Sequence, residues 1–332
     1  MSLADNALTV RAIEPHERAA VLDLLGEWIS RDFFARYFEH DPTFRDELCF
    51  VAVDGDRIVS TLQVFGKDVR VNRSTLRVGG IGNVFTTASY REQGIASRLL
   101  SRAIAAMEEH GFDLSLLFAV RLAFYGRHGW AAHPRLFVFL EPARPRLSGR
   151  YAIEPFAVAR DLDVVMKIYD THSSSLPGTT VRDRRYWAGQ LSYAGNPGED
   201  FLVARAGGKT GSVVAYARGT TLYGYYLIME HGYLPGHEEA LTDLVCRLHG
   251  VEGATLPGTL TQLVTERQVL EALGARGVEQ QRVEDVFWMW RVISPARLAA
   301  KLDMTLDEVG REDLLQRLFL PEQSVFWLSD RF

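Results

Sequence analysis

Val84-Phe85-Thr86-Thr87-Ala88-Ser89-Tyr90-Arg91-Glu92-Gln93-Gly94-Ile95-Ala96-Ser97 starts as a short apolar strand and turns, through Arg-x-x-Gly-x-Ala, into an amphipathic helix. Beyond Ala96 the apolar residues Leu99, Leu100, Ala103, Ile104 and Met107 recur at helical spacing. The N–H groups from about Gln93 to Ser97 therefore belong to an uncapped first turn, which points at an anion with the helix dipole behind it. Gly94 lacks a Cβ and lets a phosphate approach the main chain, and Ala96 is small for the same reason. Arg91 adds a fixed charge with a two-pronged donor, and Ser97 a hydroxyl at the rim. The candidate diphosphate loop is thus Arg91, Glu92, Gln93, Gly94, Ile95, Ala96 and Ser97. Taken alone it also admits an ordinary strand–turn–helix junction.

A second motif, Ala123-Phe124-Tyr125-Gly126-Arg127-His128-Gly129-Trp130, follows a short apolar strand from Leu114 to Ala119. Loop, helix, strand and Phe-Tyr-x-x-x-Gly-Trp arrive in the order found in the GNAT superfamily of N-acetyltransferases, which this stretch resembles. The resemblance implies acetyl-coenzyme A as co-substrate, with its pyrophosphate on the first motif and Tyr125 facing the thioester sulfur. A phenol has an unperturbed pKa of about 10, so it is protonated at neutral pH and can protonate a departing thiolate as general acid. By residue type alone Tyr125 also fits a core aromatic beside Phe124, Trp130 and Phe137. The resemblance further implies a main-chain oxyanion donor among Val84, Phe85 and Thr86, on a strand edge that also pairs with the pantetheine arm. It places further cofactor contacts at Val120 and Arg121.

At 332 residues the chain exceeds one core of ordinary size and suggests two or three domains. Hydrophobic residues make up 47% and charged residues 24%, near the soluble average, and no apolar run is as long as a membrane span. Met1 to Asn6 show no basic-then-apolar signal pattern, so a cytoplasmic location without membrane association is expected. Lys and Arg total 37 against 42 Asp and Glu, a net charge of −5, which disfavours a nucleic-acid partner and suits a cationic amine. Cys49 and Cys246 stand far apart without ligand-like spacing, so two buried free thiols and no metal are expected.

Along the first half the pattern predicts a strand at Leu8–Ile13, helices at Pro15–Trp28 and Arg31–Tyr37, and a hairpin of Phe50–Val53 and Ile58–Val64 about Asp54-Gly55-Asp56. Strands are expected also at Val69–Val78 and, closing the domain, at Leu136–Leu140. The chain then echoes itself: Ala12-Ile13-Glu14-Pro15 recurs as Ala152-Ile153-Glu154-Pro155, Phe50–Val53 as Phe201–Ala204, and Tyr125–Trp130 as Leu273–Val278. In the second copy Leu273 stands for Tyr125, Pro235 removes an amide and Glu238 adds a negative charge where phosphate would lie.

Two tandem GNAT-like domains with the active one first resemble the enhanced intracellular survival (Eis-like) family of amine and aminoglycoside acetyltransferases. The implied fold is α/β (α+β), each domain a mixed, mostly antiparallel sheet flanked by helices. Residues 1–148 would form the catalytic domain, 149–293 a degenerate GNAT-like domain without a cofactor loop, and 294–332 a short remnant of a sterol-carrier-like domain. The resemblance also implies a homo-oligomer and a terminal phenylalanine whose carboxylate accepts the amine proton, which makes Phe332 a candidate base; a merely packed or frayed terminus is the other reading. Trp28, Phe33, Phe34, Tyr37 and Phe38 lie where that family lines its acceptor pocket, with Asp32, Glu39 and Asp41 nearby, although helical spacing equally suits core packing. A primary amine of a small molecule is the expected acceptor. A non-catalytic acyl-coenzyme A binding module is the alternative, against which Tyr125 argues because a pure binder needs no acid at the sulfur.

Overall fold

Two seven-stranded mixed sheets carry the chain, in a computed structural model that describes residues 8–193, 199–222, 224–249 and 258–331. The first sheet contains β1 (Thr9–Ala12), β2 (Cys49–Asp54), β3 (Arg57–Val71), β4 (Ser74–Thr86), β5 (Leu114–Phe118) and the short β6 (Ala131–Ala132). The second contains β7 (Arg135–Leu140), β8 (Tyr151–Pro155), β9 (Asp200–Ala206), β10 (Ser212–Leu222), β11 (Tyr225–Tyr233), β12 (Thr259–Thr261) and β13 (Gln280–Asp285), while β14 (Trp288–Val292) returns to the first. Among the described residues β4 pairs with β5 in parallel, as β11 does with β12, and the other ladders are antiparallel.

Alternation along the strands divides the core. In β2, Phe50 and Ala52 face α3 (Ile95–Glu109), whereas Cys49, Val51 and Val53 face α1 (Arg18–Gly26) and α2 (Arg31–His40). The Ser30 side chain caps α2 by accepting from the Phe33 amide at 3.1 Å. The hairpin about Gly55 forms as expected, with Gly55 at φ +59°. The stretch 69–78 is not one strand: Asn72, at φ +52°, turns the chain between Val71 and Ser74, so β3 and β4 form a second hairpin. Both cysteines are free and buried.

The sequence-based boundary at 148 misassigns two strands. The stretch 136–140 does not close the first sheet; β7 lies in the second, between β12 and β13, and β14 lies in the first, between β5 and β6. Each half thus gives a strand to the interior of its neighbour's sheet. A two-residue hairpin needs positive φ at its tip, yet the linkers His133-Pro134 and Val286-Phe287 have none, and Pro134 fixes its own φ near −65°. The chain therefore runs straight on into the other sheet.

The repeat is visible in hydrogen bonds. After α4 (Leu122–Gly126), Trp130 N–H donates to Tyr125 O at 3.2 Å and Gly129 N–H to Gly126 O at 3.0 Å. After α8 (Arg267–Ala275), Val278 N–H donates to Leu273 O at 3.1 Å and Gly277 N–H to Gly274 O at 3.0 Å. Gly129 at φ +85° and Gly277 at φ +81° supply the left-handed residue of each turn. The second sheet packs against α7 (Glu238–His249) and α8 on one face and α5 (Val158–Ser173) and α6 (Arg184–Tyr193) on the other.

After β14 the chain covers the remaining apolar surface. α9 (Pro295–Leu302) docks on the first domain, where Lys301 Nζ donates to buried Asp113 Oδ2 at 2.6 Å. Leu298, Leu318, Phe319 and Phe326 then pack on Val69, Leu76, Leu114, Trp288 and Trp290, and Val325 and Trp327 reach the second domain. No helix among the described residues is long and apolar enough to cross a membrane.

Candidate active site

The parallel pairing of β4 and β5 runs only from Val78–Leu114 to Ile81–Leu117, after which β4 continues to Thr86 beside β3 alone. A bulge marks the split, for Thr61 pairs with Phe85 but Gln63 with Gly82, and Asn83 in the extra stretch takes φ +54°. Thr87 N–H donates to Val59 O at 3.0 Å and Phe85 O accepts from Ser60 Oγ at 2.8 Å, so these groups face β3. Alternation then turns the amides of Thr86 and Val84 to the open edge. Phe85 itself is buried against α1 and α2, so its side chain serves the core.

Beyond the strand, Glu92 at φ +63° and Gly94 at φ +76° curl the main chain, with Gly94 as the residue before α3. Nothing lies within 4 Å of where a Gly94 Cβ would stand, and no side chain caps the helix. The first α3 bond closes from Arg98 N–H to Gly94 O at 3.2 Å, which leaves the amides of Ile95, Ala96 and Ser97 in the orphan first turn. Ile95 contributes only its amide, since its side chain is buried under the sheet. Arg91 is exposed, lies over the Phe85 ring at 5.7 Å and donates Nε–H to Thr86 O at 3.0 Å. Gln93 donates from Nε2 to Ser89 O at 3.2 Å. These groups together form a cradle suited to a diphosphate.

Tyr125 in α4 is half-buried against the core under α3, as Val84 is, with Phe124 at 5.0 Å and Trp130 at 6.4 Å between ring centres. Burial pushes its phenol up to about 12, slightly opposed by the Arg121 charge. The motif is tied to the loop, because His128 Nε2 lies 3.1 Å from Ser97 Oγ, in the first turn of α3. His128 is thus half-buried beside the loop; burial, then Arg127 and Arg291, lower its pKa. Val120 is 78% exposed, and Arg121 is exposed at the start of α4, both at the mouth of β5. Phe332 lies outside the described residues.

Besides His128, sequence reasoning missed two further neighbours of the site. Arg291, on the exchanged strand β14, donates to His128 O, sits against Gly129 where a Cβ would clash, and lies 5.5 Å from the Trp130 ring. Glu27 accepts from Thr87 Oγ1 at 3.2 Å, which sets a carboxylate at the end of β4. Of the aromatic cluster, Phe34, Tyr37 and Phe38 are core, Phe33 is half-buried, and Trp28 is 52% exposed and stacks 6.3 Å from Phe85. Asp32 and Glu39 are exposed, whereas Asp41 is buried, accepting from Thr43 with Lys67 Nζ 3.8 Å away. In the second domain the corresponding loop is blocked, since Glu238 Oε1 accepts the Gly236 amide at 3.2 Å.

Comparison with known proteins agrees with this geometry. Residues 9–133 match the family model described as an acetyltransferase (GNAT) domain. An uncharacterized N-acetyltransferase of Streptomyces griseus is 27% identical over 201 residues, covering 54% of this chain and 47% of that protein. The chain thus spans about half the length of the curated relatives it matches first. Among solved structures, a conserved protein from Enterococcus faecalis V583 described as a probable N-acyltransferase superposes with a TM-score of 0.68 at 15% identity, covering 89% of this chain and 74% of that one. Eis1 from Mycobacterium abscessus superposes with a TM-score of 0.58 at 13% identity, covering 89% and 76%. The split β4–β5 pair, the amide cradle and the tyrosine motif belong together: residues 9–133 of this chain are a GNAT acetyltransferase domain.

Proposed function

We propose that the chain transfers the acetyl group of acetyl-coenzyme A to a primary amine of a small molecule, by direct attack of the neutral amine on the thioester, within an Eis-like two-sheet framework. The bond between His128 and Ser97 carries this reading, because it ties the tyrosine motif to the first turn of the anion-binding helix. Arg91 and the amides from Glu92 to Ser97 hold the diphosphate. The open-edge amides of Val84 and Thr86 pair with the pantetheine arm and steady the thioester oxygen.

As the amine nitrogen bonds to the carbonyl carbon, the carbon–sulfur bond breaks and Tyr125 gives its proton to the departing sulfur. The proton lost by the amine goes to water, and solvent reprotonates the phenol. Glu27 supports a cationic acceptor approaching past Trp28.

A thiol-release assay over polyamines, aminoglycosides and small amines tests the reading. With a good acceptor, Tyr125→Phe is expected to lower kcat by ~10²-fold while the acetyl-coenzyme A Kd, measured by calorimetry, holds within about twofold. Arg91→Ala is expected to weaken Kd instead. Full activity in Tyr125→Phe would remove the general acid from the scheme.

A further inference from the structure

In the second domain, His172 near the end of α5, His231 on β11 and Glu266 just before α8 each bring one ligand atom within 4.8 Å of the others. His172 Nε2 lies 3.5 Å and His231 Nε2 3.8 Å from Glu266 Oε1, beyond good hydrogen-bond range. His231 is 0% exposed, and neither of its ring nitrogens has a hydrogen-bond partner among the described residues; His172 Nε2 is orphaned in the same way. Two idle Nε2 atoms beside one carboxylate, with the His231 Nδ1 unpartnered as well, form an unfavourable arrangement in a closed space unless something supplies the missing partner.

Two imidazoles and a carboxylate are the donor set of a first-row divalent cation, zinc above all, at ~2.0–2.2 Å after modest contraction. The carboxylate is already oriented, accepting from Tyr233 Oη at 2.6 Å on Oε2 and from Thr265 Oγ1 at 2.8 Å on Oε1. Trp327, from the C-terminal segment, meets the His231 ring edge to face at 4.8 Å, stacks on the His172 ring at 6.4 Å and shields the cluster.

The location has a meaning. β11 is bulged beside Arg218–Gly219 and parallel to β12, as β4 is bulged and parallel to β5, and Glu266 precedes α8 as Arg121 precedes α4. We propose that the second domain binds one divalent transition-metal ion, zinc by its donor set, through His172, His231 and Glu266, in the counterpart of the first domain's β4–β5 cleft. The ion joins α5, β11 and α8 beneath Trp327, and a solvent molecule completes its coordination. The proposal departs from the metal-free expectation drawn from cysteine spacing, which looks for ligands close together in sequence.

The test uses tag-free full-length protein, dialysed against EDTA and then titrated with zinc chloride or cobalt chloride in the absence of coenzyme A. The expected result is one equivalent of zinc per chain by elemental analysis, a rise in Tm on saturation, and the visible absorption of a low-coordinate Co(II) ion. Glu266→Gln and His172→Gln are expected to weaken zinc binding by more than ~100-fold, with near-ultraviolet circular dichroism reporting that the fold persists. The exposed His16→Ala should leave uptake unchanged. A folded wild-type chain that takes up no stoichiometric zinc, or a Co(II) spectrum indifferent to both substitutions, overturns the proposal; neither outcome touches the acetyl-transfer reading, which is measured separately.

Discussion

Tyr125 and Gly94 show how much a single position decides. Burial raises the phenol to about 12, which favours its protonated form, so Tyr125 still holds its proton wherever an aliphatic amine has lost one. The kcat/KM profile is therefore expected to rise with pH as the acceptor deprotonates, with no falling limb from Tyr125 until pH approaches 12. Tyr125→Phe should scale that profile down without moving its rising limb; a falling limb near pH 8 that vanishes in the variant would contradict the assignment. At Gly94 the cost is conformational, since φ is +76° with open space around the missing Cβ. Gly94→Ala should destabilise the fold by ~1–2 kcal/mol, read as a lowered Tm, and weaken acetyl-coenzyme A binding in calorimetry. The placement of both residues, Gly94 just before α3 and Tyr125 in α4, was legible in the sequence because it follows from neighbours a few positions away. Glu27 and His128 were not, because Thr87 and Ser97, which engage them, lie in distant segments.

At the level of elements, β14 does more than fill a slot in the first sheet. Its Arg291 braces the turn after α4 from behind, donating to His128 O beside Gly129, so the second half of the chain holds the turn that carries Tyr125. Arg291→Ala is expected to lower kcat by ~10-fold or more, with the acetyl-coenzyme A Kd within about twofold of wild type, in single-turnover and calorimetric measurements. Equal loss of both would show instead that the loop had moved. The helix of the diphosphate loop, the Gly55 hairpin and the repeated glycine turns were readable because periodicity and turn chemistry are local. The partners of β7 and β14 were not. An apolar run states that it will be a buried strand, and the choice of neighbours is made by long-range packing.

Across the whole molecule a buried ionic network locks the second sheet to the C-terminal segment. Arg182 donates to Glu230 at 2.9 Å and Asp330 at 2.7 Å, Tyr216 donates to Glu230 at 2.7 Å, and Tyr186 links Asp330 to Lys67 of the first domain through bonds of 2.9 and 2.7 Å. Burial opposes ionisation of Glu230, but Arg182 and Arg218 outweigh it and hold the carboxyl at about 2. A depressed folded-state pKa stabilises above the unfolded value of about 4.3 and is lost as pH falls through about 2. Urea midpoints are therefore expected to drop between about pH 4.5 and 2, and Glu230→Gln to cost ~3–5 kcal/mol at pH 7 and to flatten that acid dependence. The traded strands carry a consequence for biosynthesis. On a ribosome the amino-terminal half cannot complete its own architecture until Trp288–Val292 has left the exit tunnel, so its folding waits on synthesis of the second sheet's strands as well. A recombination event that transplanted either half alone would leave a gap inside it and take away a piece of its neighbour, so the two halves are best inherited as one heritable unit.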